Sequence, residues 1–176
     1  MEKSDKNEKD ISFVLDTRTI TSQKKSYSLK ATKSQLQELA DYYNLPAVKN
    51  LSFDFEAFLN KDVFELKGKL KSTVEQTCVV SLENFEEKIN HPFVLLFSDD
   101  ADFVAQQEKK EDFLPEEDFV DLVENGRIYF HDIVREQFGL ALNPFPRKTD
   151  EPFVYYEEKT EDVKENQFSV LKHLTK

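Results

Sequence analysis

A chain of 176 residues carrying a formal charge of −11 has the size of one domain with an ordinary core. Its apolar fraction of 39% and charged fraction of 34% describe a highly charged globular protein, and no apolar run approaches the roughly 18 residues of a membrane span. The single cysteine, Cys78, excludes an internal disulfide and points to a reducing, cytoplasmic setting.

Met1 to Asp10 is polar and mixed in charge, which predicts a disordered start and no secretory h-region. Residues 11–176 then read as one domain. Phe13-Val14-Leu15 predicts a strand, and Tyr27 to Ala31 a second. Thr32 and Gln35 have the spacing of a capping box. Leu36, Leu39, Ala40 and Tyr43 follow at amphipathic spacing, so a helix is expected over 33–43. Leu51, Phe53, Phe55 and Ala57 alternate with polar neighbours, as do Phe64, Leu66, Gly68, Leu70 and Val74. Residues 51–59 and 63–74 therefore predict a hairpin turning at Asn60-Lys61-Asp62. Ile89, His91, Phe93, Leu95 and Phe97 predict a further strand.

The charge is unevenly placed. Residues 99–121 hold 10 acids and 2 bases, while residues 1–98 hold 15 and 14. Residues 99–117 thus predict a mobile acidic segment with a helical turn near 103–110. Phe119 to Val123 and Arg127 to Phe130 suggest a second hairpin around Asn125-Gly126, two residues that tolerate φ > 0. Phe130, Ile133, Val134, Phe138, Ala141 and Leu142 share one helical face. His131 or Asp132 could start that helix, with Asp132 the better cap. Asn143-Pro144 ends it. Phe153 to Tyr156 could form an edge strand, and Phe168, Leu171 and Leu174 a short terminal helix.

The residues offer little catalytic chemistry. His91, His131 and His173 have no metal-ligand spacing, and no metal or cofactor is expected. Cys78 has no basic neighbourhood in sequence and reads as a buried thiol. Three glycines leave no room for a phosphate-cradling loop. Binding is better supported. Alternation places Lys67, Lys69 and Lys71 on one strand face, about 7 Å apart, where they could meet phosphates or an acidic protein. A solubilising strand face would look the same. Phe145, Arg147 and Lys148 form a second candidate, held out by Pro144 and Pro146, whose rigidity lowers the entropy lost on binding.

Two stretches resemble one family. Val74-Glu75-Gln76-Thr77-Cys78-Val79-Val80-Ser81-Leu82-Glu83-Asn84-Phe85 is similar to the central Q-T-C-V-V-T-L-E-P segment of the YceD proteins, the large ribosomal RNA subunit accumulation proteins. Asp132 to Leu142, with Val134, Glu136, Gln137, Leu140, Ala141 and Leu142, followed by Pro144-Phe145-Pro146-Arg147-Lys148, resembles that family's second pattern. The order of elements agrees over residues 11–174, in a form similar to the alphaproteobacterial branch. Many members carry C-x-x-C in the first stretch; here Glu75 stands at the first cysteine position, so no four-cysteine zinc knuckle can form.

The expected fold is α+β: an antiparallel, barrel-like sheet with two or three helices. The function that the resemblance implies is a non-enzymatic part in large-subunit ribosome assembly. Its partner would be ribosomal RNA, a pre-ribosomal particle or a basic ribosomal protein. An RNA-processing or RNA-modifying enzyme and a purely structural adaptor are the alternatives.

Overall fold

The computed structural model describes residues 9–108 and 119–148. They form an α+β fold. In chain order it runs β1 (Val14–Asp16), a 3-10 turn (Thr17–Thr19), β2 (Lys25–Lys30), α1 (Lys33–Tyr42), β3 (Ala47–Asn60), β4 (Val63–Thr77) and β5 (Asn84–Ser98). There follow α2 (Ala101–Glu108), β6 (Val120–Leu122), β7 (Arg127–Tyr129) and α3 (Phe130–Ala141).

Five strands make one sheet in the order β2-β3-β4-β5-β6, and β1 pairs with β7 in a separate ribbon. The sheet is antiparallel except for the short parallel β5–β6 pairing. It is open, with β2 and β6 as its two edges, so the expected barrel does not close. The physical reason lies in β6, which is three residues long and offers too little ladder to carry the sheet round to β2.

The expected β3–β4 hairpin is present and longer than predicted. Asn60 pairs with Val63, leaving Lys61-Asp62 as a two-residue loop, with Lys61 at φ 56°. β5 starts at Asn84, five residues before its apolar alternation begins. Glu87 shares the inner face with Ile89 and His91, and a carboxylate at a core-facing position hid that part of the strand. The predicted hairpin around Asn125-Gly126 is corrected. The turn exists, with both residues at positive φ, but β6 and β7 do not pair with each other. β6 joins β5 and β7 joins β1, so the turn carries the chain from one sheet to the other.

The inner face of the large sheet is an aromatic core. Phe53 and Phe93 stack with centroids 4.2 Å apart, and Phe55 and Phe130 at 4.6 Å. Phe13 and Tyr27 extend the stack outward. Gly68 lies between Phe55 and Phe93 in the register. A Cβ there would sit 2.1 Å from the Asp54 carbonyl oxygen and 2.7 Å from Phe55 Cα, so the close approach of β3 and β4 requires glycine.

α1 has the predicted capping box. Thr32 Oγ1 accepts from the Gln35 N–H, and the Gln35 side chain accepts from the Thr32 N–H. α3 starts differently from expectation. Tyr129 is its N-cap, without a side-chain cap bond, and Asp132 lies in the first turn. The helix continues directly from β7, and the Phe130 N–H is satisfied by the carbonyl of Phe13, the residue preceding β1, at 3.1 Å. Phe130, Val134, Gln137 and Phe138 are buried on its inner face. Tyr43 crosses α3 at Gly139 and donates its hydroxyl to the Arg135 carbonyl at 2.7 Å.

The helical turn expected in the acidic segment is α2, whose Val104 is buried. The rest of that segment from 109 to 117, the first eight residues, the proposed strand at 153–156 and the proposed C-terminal helix lie outside the described residues. Among the described residues, no helix is long and apolar enough to cross a membrane.

Candidate functional site

The end of β4 and the exit from α3 meet. β4 finishes at Thr77, and a loop over 78–83 returns the chain into β5. This loop is tight: the Leu82 N–H donates to the Cys78 carbonyl at 3.0 Å, and the Cys78 N–H to the Glu83 carbonyl at 2.9 Å. Leu82 adopts φ 61°, an uncommon conformation for a residue with a Cβ, and its side chain is 77% exposed.

The exit from α3 docks on this loop through polar contacts. The Val79 N–H donates to the Pro146 carbonyl at 3.0 Å. The Gln76 amide reaches the Asn143 carbonyl at 3.4 Å. Lys148 Nζ lies 3.0 Å from Glu83 Oε2. Asn143 turns the exit itself, accepting the Phe145 N–H on Oδ1 at 3.0 Å. Phe145, between two prolines, is 71% exposed. The expected rigid presentation of this aromatic is therefore reinforced by hydrogen bonds at both of its sides.

Cys78 lies inside the junction. Its side chain is buried, as the sequence predicted, but its electrostatics were not legible there. Ser81, through its hydroxyl and then its N–H, and the N–H groups of Lys148 and Val80 favour the thiolate and lower the thiol's pKa from 9.0 to about 7. Hydrogen bonds to the charged form favour the thiolate. The Lys148 amide comes from the docked exit, so the sulfur contacts both segments.

Lys67, Lys69 and Lys71 are exposed on the outer face of β4, as alternation predicted. The strand register adds what the sequence could not. Lys67 faces Glu56 on β3 and Lys69 faces Asp54, so two of the three lysines lie beside carboxylates. Lys71 faces Ser52 on β3 and Asn90 on β5. Asp54 is held by the Ser28 hydroxyl at 2.6 Å, and Glu56 lies 3.6 Å from Lys24. The row is therefore part of a mixed-charge surface.

The two predicted groups do not come together. From Lys71 to the end of β4 is six residues, roughly 20 Å of strand. Sequence reading missed Glu83, the ionic partner of Lys148, and the exposed Val79 and Leu82 of the loop. The only signal available was the unusual run of apolar residues after Cys78, which interrupts the alternation. His91 is half-buried on the inner face, His131 lies 3.2 Å from Glu38, and His173 is outside the described residues. Among the described residues, no three His, Cys, Asp or Glu side chains group to hold a metal ion.

The family model described as YceD, large ribosomal RNA subunit accumulation protein, matches residues 66–175, more than half of the chain. No curated protein and no solved structure matches it.

Proposed function

The chain belongs to the YceD family, and on that footing we propose that it supports accumulation of large-subunit ribosomal RNA as a non-enzymatic assembly factor. It acts in the cytoplasm by binding ribosomal RNA, a pre-ribosomal particle or a basic ribosomal protein. The observation that carries this reading is the junction. The Cys78–Glu83 loop and the Pro144–Lys148 exit both lie within the matched stretch, and they and their flanking residues dock through three contacts, Val79 to Pro146, Gln76 to Asn143 and Lys148 to Glu83. Together they present Leu82 and Phe145 to solvent. Exposed apolar side chains on a hydrogen-bonded, proline-stiffened frame are suited to binding with little entropy lost. Among the described residues, Cys78, His91 and His131 show no nucleophile–base hydrogen bond of the kind that hydrolysis or group transfer needs.

The test is complementation in cells lacking the protein. The parent should restore large-subunit RNA and sediment with large-subunit particles. A Phe145→Ala/Leu82→Ser variant that melts normally should do neither. Full complementation by that variant would remove the junction from the reading.

A further inference from the structure

We propose that a pocket on the outer face of the large sheet, at the end where β3 turns into β4, is a docking site for a basic peptide and seats one of its arginine or lysine side chains. The site lies apart from the junction, and the ribosomal role proposed above enters only as the source of that peptide. The pocket measures about 430 Å³, within the roughly 300–1,000 Å³ of ligand sites. Three parts of the chain build it. The β3–β4 turn supplies Lys61 and Asp62, β4 and β5 supply Glu65, Val94 and Leu96, and α2 supplies Phe103. Glu65 pairs with Leu96, and Lys67 with Val94. Cross-strand partners share a face, so the carboxylate and the two apolar side chains stand together. A buried serine holds the walls in place. The Ser98 hydroxyl donates to the Asp62 carbonyl at 3.3 Å and accepts the Asp100 N–H at 3.2 Å. Asp100 Oδ1 in turn accepts the Phe103 N–H at 3.0 Å. The turn and the start of α2 are thereby tied to the same point at the end of β5.

The lining combines apolar surface with an excess of acid. Val94, Leu96 and Phe103 are apolar, and Val94 remains 39% exposed. Asp62 and Glu65 stand against one cation, Lys61. Asp99 and Asp102, both exposed, add negative charge where the chain enters α2. Lys67 faces Val94 but also faces Glu56, which offsets its charge. Elsewhere the acids Glu38, Glu56, Glu83 and Glu86 each lie against a basic side chain. Among the described residues, Asp62, Glu65, Asp99 and Asp102 are in no ion pair. An arginine or lysine side chain matches this combination. Its methylene stem covers apolar surface while its charged head reaches a carboxylate, and an aromatic ring adds attraction for a cation. Arginine gains further from its bidentate match to a carboxylate. A phosphodiester chain would meet these acids with like charge. The net charge of −11 draws a basic peptide from a distance, and the apolar surface decides where it settles.

The experiment titrates the full chain into a fluorescein-labelled peptide of alternating arginine and alanine, and into the same peptide with citrulline in place of arginine, at low and moderate salt. The parent should bind the arginine peptide and leave the citrulline peptide free. Asp62→Asn/Glu65→Gln should melt like the parent and lose about tenfold in affinity. Asp41→Asn/Glu75→Gln removes the same charge from α1 and from the far end of β4, and should lose about twofold or less. Val94→Lys, at an exposed strand position, should fold normally and abolish binding by placing a cation in the pocket. Its effect should persist at moderate salt, where the general field is screened. The proposal is overturned if the parent binds neither peptide or both alike, if the two double variants lose affinity equally, or if Val94→Lys binds like the parent. Direct binding of labelled oligouridylate that Phe103→Ala removes would assign the pocket to RNA instead. A concentration-dependent sedimentation of the parent that Val94→Lys abolishes would assign it to a second copy. The ribosomal reading fails separately, when peptide binding stands but the parent neither restores large-subunit RNA nor sediments with particles.

Discussion

The middle of the sheet and its far end are held by different forces. In the middle, Phe53, Phe55, Phe93 and Phe130 stack, and the contribution comes from apolar area removed from water. At the end of β4, the loop and the α3 exit are joined by an N–H to carbonyl bond, an amide contact and an ion pair, beside a thiol whose pKa both segments lower. Apolar packing tolerates little loss of volume, whereas directional polar contacts set the position of a segment and contribute modestly to global stability. The difference teaches that folding and binding here can be separated by mutation.

The largest expected effect is in the packed region. Phe138→Ala should cost on the order of 3–5 kcal/mol, because Phe138 is buried and lies edge-on to Tyr43 at 5.5 Å. Chemical denaturation should show the loss together with loss of particle binding. Gly68→Ala comes next. Its Cβ meets backbone that cannot move aside, so overpacking of about 2–3 kcal/mol is expected. A variant as stable as the parent would mean that the strands separate there without penalty.

The junction should respond to pH where the packed core does not. The folded pKa of Cys78 is depressed from 9.0 to about 7, so the folded state favours the thiolate. Its stabilising contribution is present above the unfolded pKa near 9 and declines as pH falls through 7. Stability of the parent relative to Cys78→Ala should therefore rise between pH 7 and 9, and thiolate absorbance should titrate near 7. A midpoint close to 9 would remove the proposed hydrogen bonds to sulfur. The smallest expected effect is that of Arg147→Ala/Lys148→Ala. The Lys148–Glu83 pair is exposed, so melting should shift by no more than about 1 kcal/mol. Weaker sedimentation with particles, most visible at moderate salt, would assign these two residues to binding. A normal melt with parental sedimentation would leave the exit as a helix stop.

Much of this arrangement was legible in the residues. Period-two alternation located β3 and β4, and Thr32 with Gln35 marked the start of α1. The rest depended on pairings between distant segments. Nothing local in Phe119–Val123 or Arg127–Phe130 tells that they join different sheets, because the Asn125-Gly126 turn is compatible with a hairpin. Tyr129 lacks a capping side chain, and the carbonyl that replaces it belongs to Phe13. For the binding residues, alternation established which face Lys67, Lys69 and Lys71 occupy, but only register shows which of them lie beside acids. The lowered thiol pKa of Cys78 was hidden for the same reason, since one of its donors is the distant Lys148 amide.

The β1–β7 ribbon joins Val14, in the first strand, to Tyr129, in the last strand, whereas β3, β4 and β5 pair with immediate neighbours. Closing so long a loop carries an entropic cost before any contact compensates it. The meander should therefore form the folding nucleus, with the ribbon added after the rate-limiting step. Leu15→Ala should then accelerate unfolding and leave the refolding rate almost unchanged in a denaturant chevron. A slowed refolding arm with an unaltered unfolding arm would place the ribbon in the nucleus instead.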